Sequence, residues 1–286
     1  MAIKVSNWLN ENRSVIAQKG MFKVVEHKRD LSVGFGSAQN AYFASEMNVR
    51  RRQVEIDLNG SQTVKTQAGS MQMILGNVEM ATGVTSAKGF LGSVVKAAAT
   101  NETAVKPTYS GVGQVILEPT YKHILLQDIS EWGSAGMVIE DGMFLASEGT
   151  VNHQVIKNTQ SAATAIVSGE GLYNLCFTGT GVVALESYVP FEELIEYELE
   201  NDVLKIDGNM AVCWSGSLQF SVEKTTKSFL GSLASGEGLV NVYRGTGKVW
   251  VSPVAGTKDG EVKTMTSGKP AAKESSGGGL LGAFLG

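Results

Sequence analysis

Short runs of apolar residues that alternate with polar ones recur along the chain, with the two-residue period of β-strands. Val54–Leu58 alternates strictly, and Leu239–Tyr243 is rich in the β-branched and aromatic residues that suit a pleated sheet. Similar runs lie at 22–25, 182–185 and 248–251. Asn59-Gly60 directly follows the first run and favours the type I′ turn of a hairpin. The pattern predicts an all-β protein with a hairpin at residues 54–66.

Helical patterns are few. Residues 89–99 and 227–233 share the sequence Phe-Leu-Gly-Ser, and each is predicted to form one or two helical turns. Residues 191–199 fit two structures, because the apolar spacing of their first half is helical and that of their second half alternates as in a strand. The predicted fold class is therefore all-β with little helix.

An internal repeat is the strongest signal in the sequence. The pattern Gly-x-Gly-x-Val-x-Leu-Glu occurs at 111–118 and again at 179–186. A third, partial copy begins with Ser-Gly-Glu-Gly-Leu, which occurs at 168–172 and at 235–239, each time followed by Gly-Thr-Gly. Agreement of this extent indicates a duplication.

The repeat divides the chain into three parts. Residues 1–150 are predicted to form an N-terminal β-domain with an extension, and residues 151–254 a second β-domain. Residues 255–286 are predicted to be a flexible tail, rich in Gly, Ser and Lys, with an apolar tip at 280–286. Docking of this tip on the protein, on a partner or on a membrane, and fraying in solvent, are open alternatives.

The repeated glycines suit either phosphate binding or strand architecture. They lack the third glycine of a dinucleotide-binding fingerprint, and they open strands instead of the helix whose N-terminus would bind a pyrophosphate. A structural role at turns or bulges is therefore favoured. The predicted turn glycines are Gly111, Gly113, Gly179, Gly181, Gly245 and Gly247.

No motif for catalysis or for a metal is present in the sequence. The histidines, His27, His123 and His153, stand alone, whereas a metal site needs several close ligands. Cys176 and Cys213 lie in apolar runs, where burial would raise the pKa of each thiol and keep it inert. We therefore predict a protein that is not an enzyme, with no catalytic residues, no metal and no cofactor.

The composition limits the classes of partner that the protein is expected to bind. Hydrophobic residues make up 43% of the 286 residues, which is typical of a folded protein, and the net charge of −4 argues against a nucleic-acid partner. The basic run at residues 50–52 is predicted to be the solvated start of a strand. The N-terminus lacks the apolar region of a signal peptide, and no stretch is long enough to span a bilayer. A cytoplasmic location is therefore predicted, and a peripheral position at the membrane is left open.

Several motifs, in order, resemble the altered-inheritance-of-mitochondria protein 24 family, and its bacterial members in particular. The resemblance covers roughly residues 20–254. Besides the paired glycine motifs and Ser-Gly-Glu-Gly-Leu, the residues that carry it are Gly69-Ser-Met, Leu75-Gly-Asn-Val and Tyr243-Arg-Gly-Thr-Gly-Lys-Val-Trp-Val-Ser-Pro.

This resemblance implies a fold similar to the tryptophan RNA-binding attenuator superfamily. The expected architecture is a short double-stranded β-helix, or β-sandwich, present twice, in two similar domains with exchanged C-terminal strands. The resemblance also implies a homotrimer that forms a six-domain ring, and a scaffolding role like that of the mitochondrial relatives, which support inner-membrane organisation. Neither tryptophan nor RNA binding is carried over, because no ligand residue can be matched.

Three functions remain in competition. The leading hypothesis is a homo-oligomeric structural or interaction protein, with a membrane surface or a membrane protein among its candidate partners. The alternative is a small-molecule binding module with a pocket in a β-domain or between subunits. An enzyme with an unrecognised site is the third.

Overall fold

Fifteen β-strands and one nine-residue α-helix make up most of the regular structure of the residues that the computed structural model describes, which are 3–82, 106–157, 173–208, 210–224 and 239–254. The predicted helical turns at 89–99 and 227–233, and the tail at 255–286, lie outside these ranges. Within the same ranges, no helix has the length and apolar character needed to cross a membrane.

The first sheet has eight of the described strands, all paired antiparallel, in the order β1-β2-β3-β8-β11-β6, with β5 also on β3 and β4 on β5. The helix α1 (Ala38–Glu46) lies between its second and third strands in the chain. The strands are β1 (Arg13–Lys19), β2 (Phe22–His27), β3 (Arg52–Thr66), β4 (Met71–Ala81), β5 (Thr108–Leu117), β6 (His123–Asp128), β8 (Phe144–Glu148) and β11 (Val182–Ser187).

The second sheet has the other seven, also antiparallel, in the order β12-β15-β13-β7-β10-β9, with β14 on β15. Its strands are β7 (Met137–Ile139), β9 (Val151–Lys157), β10 (Tyr173–Gly179), β12 (Ile195–Asp207), β13 (Ala211–Ser215), β14 (Gln219–Lys224) and β15 (Leu239–Val251).

The chain crosses repeatedly between the two sheets. The strand β7 precedes β8 in sequence but pairs with β10 and β13 of the second sheet, and β11 follows β10 but pairs with β6 and β8 of the first. The predicted all-β class with two domains is confirmed. The strands that cross are internal ones, whereas the C-terminal strand β15 pairs only within the second sheet. The domain boundary at residue 150 stays a prediction.

The three copies of the glycine motif do not share one strand setting. Gly111 and Gly113 lie within β5 and pair with β4. Gly245 and Gly247 lie within β15 and pair with β12. The second copy differs, because Gly179 ends β10 and the rest of the motif continues into β11, where the chain crosses from the second sheet to the first.

The hairpin predicted at residues 54–66 is wrong. The strand β3 continues through Asn59-Gly60, and its register against β5 shifts between Asn59 and Thr63. Gly60 has a φ of 96°, and the Asn59 side chain accepts a hydrogen bond from the Ser61 amide at 3.0 Å. The local turn preference is thus used in a bulge, because β5 pairs with both halves of β3. Residues 191–199 combine both predicted structures, a 3-10 turn at Phe191–Glu193 and then β12.

Apolar side chains form three clusters. The first lies on the first sheet around Phe22, Ile56 and Leu117, and the third lies on the second sheet around Trp214 and Tyr243. The middle cluster contains residues from both sheets, because Leu125 and Leu185 of the first pack with Phe177 and Trp250 of the second. Burial of this shared cluster holds the two sheets together.

Candidate functional site

The six predicted glycines do not form one site. Gly111 and Gly113 lie in β5 against the backbone of β4, where a Cβ at Gly113 would come within 2.0 Å of the Leu75 carbonyl oxygen. Gly179 and Gly181 flank the crossing from β10 to β11, and Gly245 and Gly247 lie within β15. The nearest neighbours of the three pairs belong to different segments of the chain. Their structural role stays a prediction, and substitution of Gly113 is the sharpest test of it.

The two cysteines are buried, as predicted. Burial raises the pKa of the Cys176 thiol to about 11 and raises that of Cys213 well above its ordinary value. A thiol in this environment stays protonated at neutral pH and is a poor nucleophile. Among the described residues, no three His, Cys, Asp or Glu side chains are grouped so that they could hold a metal ion.

One serine–histidine pair has the spacing of a nucleophile and its base. Ser147 Oγ lies 2.8 Å from His153 Nε2, and the imidazole packs edge-on against Phe144 and Phe177. Burial, with a smaller contribution from nearby lysines, lowers the pKa of His153 to about 3. Because the Ser147 side chain is fully buried, no substrate reaches its hydroxyl. This burial makes the pair unsuited to acyl transfer in the conformation described.

The basic run at residues 50–52 differs from its predicted solvated state. Arg52 is 2% exposed and forms an ion pair of 2.8 Å with Glu26, its neighbour on β2. Burial lowers the pKa of Arg52, whereas Glu26 opposes that shift. Glu26 also accepts a hydrogen bond of 3.0 Å from Arg50, so one buried carboxylate orients two arginines.

A cleft of about 500 Å³ lies beside this ion-pair cluster, between the segment that carries α1 and the ends of β2 and β3. Three arginines line it, together with one carboxylate, His27 and Tyr121. The arginines are Arg29, Arg50 and Arg51, and the carboxylate is that of Asp30.

A closed triad holds one side of the cleft. Arg51 Nη2 lies 2.6 Å from Asp30 Oδ2, and Arg51 Nε donates to the Tyr121 hydroxyl at 2.9 Å. That hydroxyl donates in turn to Asp30 at 2.9 Å. Arg50 Nε donates to the Ser45 carbonyl oxygen at 2.9 Å, which ties the end of α1 to the sheet. The bonds of Arg50 and Arg51 fix two guanidinium groups that line the cleft.

Sequence reasoning missed this cleft. Residues 31–45 carry no charged side chain, but charges of both signs flank them, at Lys28-Arg29-Asp30 on one side and at Glu46 and Arg50-Arg51 on the other. This mixed pattern does not predict an anion-facing surface. The position of Tyr121 beside the arginines depends on the fold alone.

The family model for Mitochondrial biogenesis AIM24 matches residues 45–254. The chain belongs to this family. The resemblance that its motifs carry is thereby confirmed. Arg50, Arg51 and Tyr121 lie inside the matched region, whereas the cleft residues from 27 to 44 lie before it, so the cleft forms where a preceding segment meets the family fold.

The chain is similar to two streptococcal proteins. An uncharacterized protein of Streptococcus pyogenes serotype M6 is 26% identical over 205 residues, which are 69% of this chain and 79% of the relative. A crystal structure of a Streptococcus pyogenes protein superposes with a TM-score of 0.53 at 25% identity, and covers 71% of this chain and 88% of the other. Neither description carries an activity that could be transferred.

Proposed function

We propose that the protein is a homo-oligomeric structural protein without catalytic activity, which assembles through strand edges and works at a membrane surface. The proposed assembly is the homotrimer with six β-domains that the family resemblance implies. The cytoplasmic location predicted from the sequence stays part of this proposal.

The edge of β4 carries the proposal. This eleven-residue strand pairs only with β5 in the described part of the chain, and it exposes Met73, Ile74 and Met80. Glu79 is its one charged residue. At about 3.3 Å per residue, the open edge is about 36 Å long. Unpaired backbone groups beside apolar side chains are a template for another chain, and proteins normally cover or charge such an edge.

A second copy of the chain is a natural cover for this edge. Most soluble oligomers are closed and symmetric, and closure of a ring leaves no edge of the same kind free. The duplication, the buried thiols and the fully buried Ser147 support a structural role over a catalytic one.

Sedimentation of the purified full chain tests the assembly. We expect a trimer at micromolar concentration. A monomer at that concentration would contradict the proposal, whatever the protein binds. Flotation with vesicles tests the membrane part separately.

A small-molecule binding module is a second candidate, and the cleft favours it. A concave site with a few convergent polar groups is the usual form of a ligand pocket. Native mass spectrometry of the purified chain tests this candidate directly, because a retained ligand adds a discrete mass that disappears on denaturation.

A further inference from the structure

The segment that forms one side of the cleft exposes large apolar side chains to solvent. Its helix α1 buries only Ser45, and Phe35 just before it is fully exposed. Six large apolar residues between 31 and 49 are exposed, namely Leu31, Phe35, Tyr42, Phe43, Met47 and Val49. Exposed large apolar side chains that form a patch mark an interaction surface more often than a solvated one, so this segment is a candidate for such a surface.

The guanidinium groups of the cleft have N–H donors that make no hydrogen bond within the described residues. Arg29 has no side-chain partner among the described residues, and its side chain is exposed. Arg50 donates only from Nε and Nη1, and Arg51 only from Nε and Nη2, so each retains a terminal nitrogen without a further partner in the described ranges. Fork-shaped donors held in place by other bonds are suited to a carboxylate or a phosphate.

The charge around the cleft is positive on a chain whose net charge is −4. Asp30 is the only carboxylate in the lining, and Arg51 already neutralises it. Glu26 lies outside the lining and is shared by Arg50 and Arg52. An anion that enters the cleft therefore meets uncompensated arginine.

Apolar groups complete the lining. Val33, Ala41, Ala44 and Val49 belong to it, and the exposed Tyr42 and Phe43 of α1 lie between Ala41 and Ala44 in the sequence. A ligand that is complementary to both the arginines and the apolar residues of the lining has an anionic head group and an apolar chain.

We propose that the cleft binds an amphipathic anion, with a phosphate or carboxylate group on Arg29, Arg50 and Arg51 and an apolar chain against Val33, Ala41, Ala44 and Val49. The head could belong to a membrane lipid or to a free single-chain amphiphile, because the chemistry of the two is the same. The inference adds a ligand to the proposed function and does not depend on the oligomeric state.

Titration calorimetry of the full chain with dodecyl phosphate, kept below its micelle concentration, tests the head group. Arg29→Glu should weaken binding by at least about tenfold, because it removes a charge-assisted contact and adds repulsion. Lys28→Glu is the matched control, since Lys28 is exposed, makes the same change of charge and does not line the cleft. We expect it to change the affinity by less than about twofold, because charges outside the site are screened. Equal effects of the two variants, or no binding to the wild type, would overturn the proposal.

Two valine variants test whether the apolar residues of the cleft contribute to binding. Val49→Ser changes a lining residue that is already 47% exposed, and Val155→Ser makes the same change on β9 at 51% exposure. We expect only Val49→Ser to weaken binding of dodecyl phosphate, and inorganic phosphate to bind the wild type much more weakly. If inorganic phosphate binds as tightly as dodecyl phosphate, the ligand is not amphipathic and the proposal is wrong.

Flotation with phosphatidylcholine vesicles, with and without phosphatidylglycerol, distinguishes the two sources. If the head belongs to a lipid, the wild type floats only with the anionic vesicles, and Arg29→Glu abolishes flotation whereas Lys28→Glu and removal of residues 256–286 do not. Binding of dodecyl phosphate without flotation assigns the site to a free amphiphile and counts against the membrane part of the proposed function. Flotation that survives Arg29→Glu overturns the lipid assignment while leaving membrane association itself intact.

Discussion

The strands β4 and β12 are the two longest strands paired on one side only in the described chain, and their edges differ in charge. Each pairs with a strand that contains a Gly-x-Gly motif, β5 for β4 and β15 for β12. Both expose apolar side chains, such as Ile74 on β4 and Val203 on β12. However, β12 carries six charged residues in thirteen, and β4 carries one in eleven.

This difference in charge indicates that the edge of β4, and not that of β12, is the one that pairs with a second chain. Charged side chains along an edge oppose pairing with a second chain, so β12 is protected while it stays in solvent. The edge of β4 lacks such charged residues, although β12 of the same chain has them. The apolar content of a strand does not distinguish the two, whereas its charge does.

The largest expected effect is loss of assembly when β4 receives a charge. Ile74→Lys should convert the oligomer to monomers at micromolar concentration, because a lysine buried without a partner at the interface costs about 3 kcal/mol, or about a hundredfold in affinity. Val203→Lys makes the corresponding change on β12 and should leave the assembly intact. Light scattering coupled to size-exclusion chromatography measures both, and loss of assembly in the Val203 variant would assign the interface to the wrong edge.

A smaller effect, a loss of stability, is expected when the contact between β4 and β5 is disturbed. Gly113→Ala would bring a methyl group against the Leu75 carbonyl, so β4 must move, and we expect the free energy of unfolding to fall by about 1 to 3 kcal/mol. Gly34→Ala is the control, because a Cβ there meets nothing within 4 Å, and its expected effect is within about 0.5 kcal/mol. Urea unfolding measures both, and a Gly113 variant as stable as the wild type would refute the close approach of the two strands.

Removal of charge from β12 should promote association between chains, whereas Ile74→Lys should prevent it. Glu198 and Glu200 are exposed, and the double change Glu198→Val, Glu200→Val leaves an apolar stretch at residues 197–200 of the edge. We expect slow growth of assemblies larger than the native one, which static light scattering over hours would detect. The exposed Glu11→Val serves as the control, and equal growth in both would mean that added hydrophobicity anywhere is enough.

The smallest expected effect concerns how pH changes the stability of β14, which like β12 pairs only with β15 in the described chain. Arg244 of β15 holds the pKa of Glu223 on β14 at about 2 through a two-point ion pair. A lowered carboxyl pKa contributes stability that is present above its unfolded value and is lost as the pH falls toward 2. The pair is more than a third exposed, so solvent screens most of this contribution. Urea midpoints for wild type and Glu223→Gln should differ slightly at pH 7 and converge near pH 2; a constant difference would exclude this linkage.

Local chemistry was sufficient to predict the fold class, the repeat and the buried state of the cysteines. Alternation and glycine spacing depend on residues that are close in the sequence, so they could be recognised without knowledge of how the strands pair. The family resemblance followed from the same motifs.

Features that depend on pairing between distant strands were not predictable. Arg52 is buried because Glu26 lies beside it on β2, and no property of residues 50–52 alone reveals that partner. Asn59-Gly60 has the chemistry of a hairpin turn, but β5 continues past it and converts it to a bulge. The cleft and the open edge of β4 are likewise properties of the assembled sheet.

Hydrogen exchange of the wild-type oligomer, read by mass spectrometry, tests the central claim about the two edges most directly. If β4 is the covered edge, peptides that contain residues 71–81 are protected in the oligomer and exchange faster in Ile74→Lys. Peptides that contain residues 195–207 then exchange at the same rate in both proteins. Protection of β12 together with unchanged exchange of β4 would contradict the account.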